Sequence, residues 1–129
     1  MNRIVEELKK AKVFYIATTD EEGKPQVRPF GSVTEIDGEV FICSNNRKEF
    51  YRQVMNNPEI AICGMYEDRW VRVWGKAVRV DDDKARSAML KDPTGPSSLY
   101  RVGDGLFEVF RIENPKGMLF SFTSEPVFL

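Results

Sequence analysis

Between its β-type runs this chain repeatedly places residues that suit only tight turns, and that spacing limits the fold more than any other feature. Asp37-Gly38 is the strongest such signal. Both residues tolerate positive φ, as a two-residue type I′ turn requires, so the runs at residues 26–36 and 39–44 are expected to pair antiparallel. Asp20-Glu21-Glu22-Gly23-Lys24-Pro25 separates 26–36 from a β-branched and aromatic run at 13–19, and Glu67-Asp68 separates 59–66 from 69–80. Asn114-Pro115-Lys116 is expected to join two further strands, 106–113 and 117–123. Tight hairpins between roughly six or seven strands predict an antiparallel β-barrel, mainly β, with a few short helices, and disfavour parallel winding.

Three segments carry helix signals. Asn2 is a good N-cap for residues 3–11, where Ile4, Val5 and Leu8 form an apolar stripe. Asp81-Asp82-Asp83 places acidic residues at the start of a helix running to about residue 90, as the helix dipole prefers. The middle helix is expected to open at Arg47-Lys48, with Asn46 and Glu49 forming a capping box and Phe50, Tyr51, Val54 and Met55 lining one face.

That middle helix is the most informative segment for function. The start of a helix carries about half a positive charge, so two cations there are each disfavoured by roughly 0.3 to 1 kcal/mol unless an anion joins them. Free backbone amides, the side chains of Ser44 and Asn45, and the heads of Arg47 and Lys48 together predict a phosphate cradle.

Composition removes several other chemistries. With 19 Lys+Arg against 20 Asp+Glu, the chain lacks the basic excess of a dedicated nucleic-acid binder. There is no histidine, so Ser-His-Asp and Cys-His catalysis and a Cys/His zinc site are excluded, and no metal is expected. Cys43 and Cys63 lie in apolar strand patterns and are expected to be buried and reduced. A length of 129 residues predicts one domain over 1–129. No run of about 20 apolar residues marks a membrane helix, and residues 1–11 lack a signal-peptide pattern, so a cytoplasmic location is expected.

Two strands stand out. Pro29 cannot donate to a ladder and places its strand at an edge or bulge, leaving Pro29, Phe30, Gly31 and Ser32 with backbone groups free. The segment reads either as an edge with a solvated Arg28 or as a place where a planar heterocycle with amide-like edges docks. In the second strand Trp70, Arg72, Trp74 and Lys76 share one face by the period of two, while Val71, Val73, Gly75 and Ala77 share the other. Two indoles are too much aromatic area for water, so this face is expected to meet a partner surface, a ligand or both. Gly103-Asp104-Gly105 and residues 92–98 read as loops, and the aromatic C-terminal stretch from Phe120 to Leu129 is expected to dock on its own barrel or a second subunit.

Arg28-Pro29-Phe30, the Asp37-Gly38 hairpin, Phe41-Ile42-Cys43-Ser44-Asn45-Asn46-Arg47-Lys48 and Val71-Arg72-Val73-Trp74-Gly75-Lys76-Ala77 occur in an order and spacing that resembles the pyridoxamine 5′-phosphate oxidase-like FMN-binding split barrels. Within them the chain looks most like the small nitroimidazole-resistance and general-stress flavoproteins. The resemblance covers residues 3 to about 80 and implies an antiparallel split barrel that holds FMN in the seam of a homodimer. It implies that Arg28, Pro29, Phe30 and Gly31 meet the flavin ring and ribityl side, that Cys43 and Ser44 line the path to the phosphate, and that Arg47 and Lys48 grip it. It also implies that Trp70, Val71 and Arg72 approach the flavin of the other subunit. The absence of histidine departs from nitroimidazole reduction that uses one. A counterpart of the C-terminal substrate segment of the true oxidases is also lacking, so vitamin oxidation is not expected.

The leading functional expectation is therefore an FMN-dependent oxidoreductase that takes electrons from a reduced nicotinamide and reduces a small acceptor, the flavin supplying the redox chemistry. A flavin-binding stress or storage protein without turnover is the nearest alternative. A flavin-free interaction barrel that binds a protein or a single strand of nucleic acid is the third.

Overall fold

Every paired strand in the sheet is antiparallel, as the hairpin signals require. The computed structural model describes residues 2–129. Along the chain the elements are α1 (Arg3–Ala11), β1 (Phe14–Thr19), β2 (Pro25–Phe30), β3 (Thr34–Ile36), β4 (Glu39–Asn45), α2 (Glu49–Asn56), β5 (Glu59–Tyr66), β6 (Arg69–Val80), α3 (Asp83–Lys91), β7 (Phe107–Ser121) and β8 (Val127–Phe128). The strands follow the order β2-β1-β5-β6-β7-β4-β3, with β8 added beside β7.

Chain reach forces this sheet to curl. Strands lie about 4.8 Å apart, so a flat sheet in this order would separate its edges β2 and β3 by roughly 29 Å. Residues 31–33 alone join those edges. Four residue steps span at most about 14 Å, so the sheet closes on itself into the expected barrel, with a split where β2 faces β4 without pairing to it.

The expected turn at Asn114-Pro115-Lys116 is instead a bend inside one strand of 15 residues. Asn114 takes φ 50° and Pro115 offers no amide, yet both flanking halves find partners on β6: residues 109–113 opposite 76–80, and 116–121 opposite 69–74. The register of β6 shifts between Trp74 and Lys76, so both long strands bend at one level. Gly75 sits at that bulge because a Cβ there would lie 2.8 Å from Ile112 Cγ2 and 3.0 Å from Glu113 O. The expected continuous run at 26–36 is likewise broken into β2 and β3 by the closing link.

Apolar alternation fills the barrel. Val71, Val73 and Ala77 of β6 are buried with Phe14, Ile16, Phe110 and Ile112, and α1 covers one end with Ile4, Val5 and Leu8. A second cluster of Phe41, Cys43, Ala85, Met89, Phe107 and Val109 lies under α3. Cys43 is buried as expected, but Cys63 is exposed, because its register opposite Tyr15 and Arg72 puts it on the outer face. On α2 the inward face is Phe50, Gln53 and Val54, whereas Met55 is exposed, so the buried stripe takes in a polar residue that apolar periodicity passes over.

Asp92 ties the segment after α3 to the rest. Its side chain, 8% exposed, accepts from Lys9 Nζ at 2.8 Å, Thr34 Oγ1 at 2.7 Å, and the amide and hydroxyl of Thr94 at 2.9 and 2.8 Å. Burial alone would raise its pKa, but these donors outweigh burial and hold the carboxyl at about 2, against an ordinary 3.8. A depressed value stabilises the fold above the ordinary pKa, and the stabilisation is lost as pH falls through the folded value. Asp92→Asn is therefore expected to lower stability at pH 7 by roughly 1–2 kcal/mol, with the gap to wild type narrowing from about pH 5 to pH 2 in denaturant titrations.

Candidate functional site

The split in the barrel opens into a cavity of about 730 Å³. Arg28, Pro29, Phe30 and Gly31 line it from the free edge of β2, and Cys43 and Ser44 from the end of β4. Arg47, Lys48 and Glu49 line it from the start of α2. Three cations and one carboxylate thus border a space whose remaining walls are largely apolar or hydroxylated, which suits a ligand with a flat body and an anionic end.

Arg28 is built in rather than solvated. It lies opposite Ile16 and so points inward from β2. Its Nη1 donates to Ile16 O at 3.2 Å and Thr18 Oγ1 at 2.7 Å, and its Nη2 to Gln53 Oε1 at 2.8 Å. Buried Thr18 donates to the same Gln53 Oε1 at 2.5 Å, which closes a network across β1, β2 and α2. The guanidinium also packs over the Phe50 ring, 5.5 Å from its centroid. All of these partners are neutral, and burial pulls the Arg28 pKa below its ordinary value. A half-buried cation without an ion-pair partner raises the potential of the cavity it borders.

The basic doublet is reached differently from the sequence expectation. Helix α2 starts at Glu49, with Lys48 as an N-cap that makes no side-chain cap bond. The capping box does not form: Asn46 Nδ2 instead donates to Gly105 O at 2.9 Å and Glu108 Oε2 at 3.1 Å. Asn45 shapes the turn, its Oδ1 accepting from the Arg47 amide at 3.0 Å and its carbonyl from the Lys48 amide at 3.3 Å. Arg47 and Lys48 are exposed at the cavity mouth. Neither forms an ion pair among the described residues. With no side chain capping α2, its first amides keep their capacity for an anion. Burial pushes the Cys43 thiol up to about 12, so it lines the path as a neutral group rather than a nucleophile.

Residues 92–98, read from sequence as a plain loop, contribute Pro96 to the far wall, and Leu99 and Tyr100 just beyond them complete it. The wall is laced to the closing link: Ser32 Oγ donates to Thr94 O at 2.6 Å and the Val33 amide to Thr94 Oγ1 at 3.1 Å. Tyr100 stacks on Phe107 at 5.3 Å, and its hydroxyl accepts from Asn45 Nδ2 at 2.6 Å. Sequence periodicity carries no trace of the hydrogen bonds, since each ties an irregular segment to a residue more than 50 positions away. Gln53 and Thr18 were missed for a related reason: both occupy positions in apolar patterns, and only the neighbouring Arg28 shows why they are polar.

Trp70, Val71 and Arg72 do not line this cavity. Val71 is fully buried in the core. Trp70 and Arg72 lie on the outer face of β6, where the chain already covers part of their surface. Trp70 stacks on Phe120 at 5.5 Å, and Arg72 sits 4.4 Å from the Trp74 ring centre. The C-terminal stretch docks on its own barrel, as β8 pairs with β7 through Met118 with Phe128 and Leu119 with Val127.

A family model described as Pyridoxamine 5′-phosphate oxidase matches residues 1–114. Among solved structures, a NimC/NimA family protein from Clostridium acetobutylicum is 35% identical with a TM-score of 0.90, the match covering 98% of this chain and 91% of that one. A heme binding protein from Mycobacterium smegmatis shares the fold at 19% identity and a TM-score of 0.75, over 100% of this chain and 58% of that one. A pyridoxamine 5′-phosphate oxidase-related, FMN binding protein from Nostoc punctiforme shares it at 13% identity and 0.67, over 98% and 93%. No curated protein matches the chain. With the family model spanning most of the sequence and the split barrel formed around it, this chain belongs to the pyridoxamine 5′-phosphate oxidase-like family.

Proposed function

We infer that the chain binds FMN in the split cavity and uses it as an NAD(P)H-dependent oxidoreductase acting on a small acceptor. The observation that carries this reading is the convergence of Arg47 and Lys48, unpaired at the uncapped start of α2, with a built-in Arg28 on one cavity. Arg47, Lys48 and the first amides of α2 hold the phosphate, and Ser44 adds a hydroxyl beside it. Pro29, Phe30 and Gly31 would hold the ring, and Arg28 would favour the negative charge that the flavin gains on reduction. Bound FMN supplies two-electron and one-electron transfer, which the side chains of this protein lack. With no histidine in the chain and Cys43 held as a thiol, the lining residues provide position and electrostatics rather than nucleophilic attack.

The outer face of the sheet supports a homodimer. Registers align Val27, Tyr15, Cys63 and Met65 with Trp70, Arg72, Met118, Phe120 and Phe128 on that face. Tyr15, Val27, Met65 and Phe128 are 51 to 67% exposed, and large apolar side chains gathered on one face favour association through it. No helix among the described residues is long and apolar enough to cross a membrane, so a lipid-spanning helix does not account for it.

Absorbance of the purified protein tests the cofactor. Flavin bands after FMN addition support the reading, whereas a Soret band after haem addition with no flavin uptake overturns it. Arg47→Glu with Lys48→Glu is expected to weaken FMN binding by at least about a hundredfold, the loss of two charge-assisted bonds, while leaving the melting temperature unchanged because both residues are exposed. Anaerobic mixing with NADH or NADPH then separates the oxidoreductase from a flavin store: rapid bleaching of the flavin bands is expected, and flavin that stays oxidised leaves only storage. For the seam, Met65→Glu is expected to shift the mass in light scattering from dimer to monomer. A monomeric wild type removes the dimer.

A further inference from the structure

Two flexible cations lose less on gripping a phosphate when the backbone beneath them is already fixed, and Asn46, the residue before the doublet, is held at three points. Its amide donates to Leu106 O at 3.0 Å, and its Nδ2 reaches Gly105 O at 2.9 Å and Glu108 Oε2 at 3.1 Å. Glu108 stands opposite Ser44 in the ladder between β4 and β7 and is 4% exposed. A bare buried carboxylate this close to the cradle would repel an anion. Here Oε1 accepts from Arg79 Nε and Arg86 Nη2, both at 3.0 Å, so the carboxylate is paired with two guanidiniums, each shared with Asp81. Arg86 is anchored in turn by donating from Nε to Phe107 O at 3.0 Å.

Resting on the FMN reading, we propose that Asn46 and Glu108 are positioning residues that hold the turn before α2 so that Arg47 and Lys48 meet the phosphate of the flavin. Neither lines the cavity, so their part in binding is indirect. Their effect is to order in advance the backbone from which the two long side chains extend, which lessens what is lost when those side chains are immobilised on a phosphate. Glu108 belongs to β7 and the cradle to β4 and α2, so the grip is set by the barrel wall rather than by the turn alone.

Paired titrations with FMN and riboflavin, followed by quenching of flavin fluorescence, read this directly, because riboflavin carries the same ring and ribityl chain without the phosphate. Wild type is expected to prefer FMN. Asn46→Ala leaves the charge of the site unchanged, and it is expected to weaken FMN binding about tenfold while riboflavin binding stays within about twofold. A control destabilised away from the cradle keeps the wild-type preference: in Gly64→Ala a new Cβ would meet Ala11 Cβ at 2.9 Å. An unchanged preference in Asn46→Ala, or an equal fall for both flavins, overturns the positioning role. A wild type that binds both flavins alike, or neither, overturns the FMN reading and this inference with it.

Discussion

The pairing of β6 with β7 along almost their whole lengths is the constraint on which the rest of the molecule depends. Each strand serves two regions at once: β6 carries β5 along its first part, while β7 carries β4 on its first half and β8 on its second. Two strands of 12 and 15 residues shared in this way cannot stay flat, and their common bend near Trp74 and Asn114 turns a meander into a barrel. Closure then falls to residues 31–33, which join the two ends of the strand order. The cavity exists because β2 lies across from β4 without a ladder between them. The cavity is a by-product of how the sheet closes.

Charge placement follows from the same geometry. Buried carboxylates sit where several elements supply donors, as at Asp92 with α1, β3 and Thr94, and at Glu108 with Asn46 and two arginines. At the split there are fewer neighbours, because one side of β2 is unpaired. Arg28 finds only neutral partners there, and the doublet at α2 finds none of opposite charge. Paired ions stitch the barrel and unpaired cations border its opening.

The hairpins were legible in the sequence because their signals are local: Asp37 and Gly38 take φ of 51° and 80°, as the dipeptide predicts. The apolar alternation of β6 and the stripe of α1 were legible for the same reason. Misreadings arose where tertiary contacts reassigned local signals. Asn114-Pro115 has turn chemistry and became a bend because both flanks had partners on β6. Asn46 and Glu49 have capping-box spacing, but a buried carboxylate on β7 claimed the asparagine. At the cavity, Arg28, Ser44, Arg47 and Lys48 stood out as charge or polarity in unexpected places. The wall of Pro96, Leu99 and Tyr100 did not, since loop composition says nothing about what a loop faces.

The arrangement around Arg28 bears on why such a site persists. Partly desolvating a guanidinium whose hydrogen-bond partners are all neutral is unfavourable, burial lowering its pKa against the opposing pull of Glu49, and a marginally stable fold has little stability to spare for it. Gln53 and Thr18 reduce that penalty through hydrogen bonds but do not neutralise the charge. A leucine at 28 with apolar partners at 18 and 53 would pack the same space without an unpaired ion. Departures from local consistency of this kind are found where function offsets their cost. The side chains that break the rule here, Arg28 with Arg47 and Lys48, all line one cavity, so a single function of that cavity would offset all three departures at once.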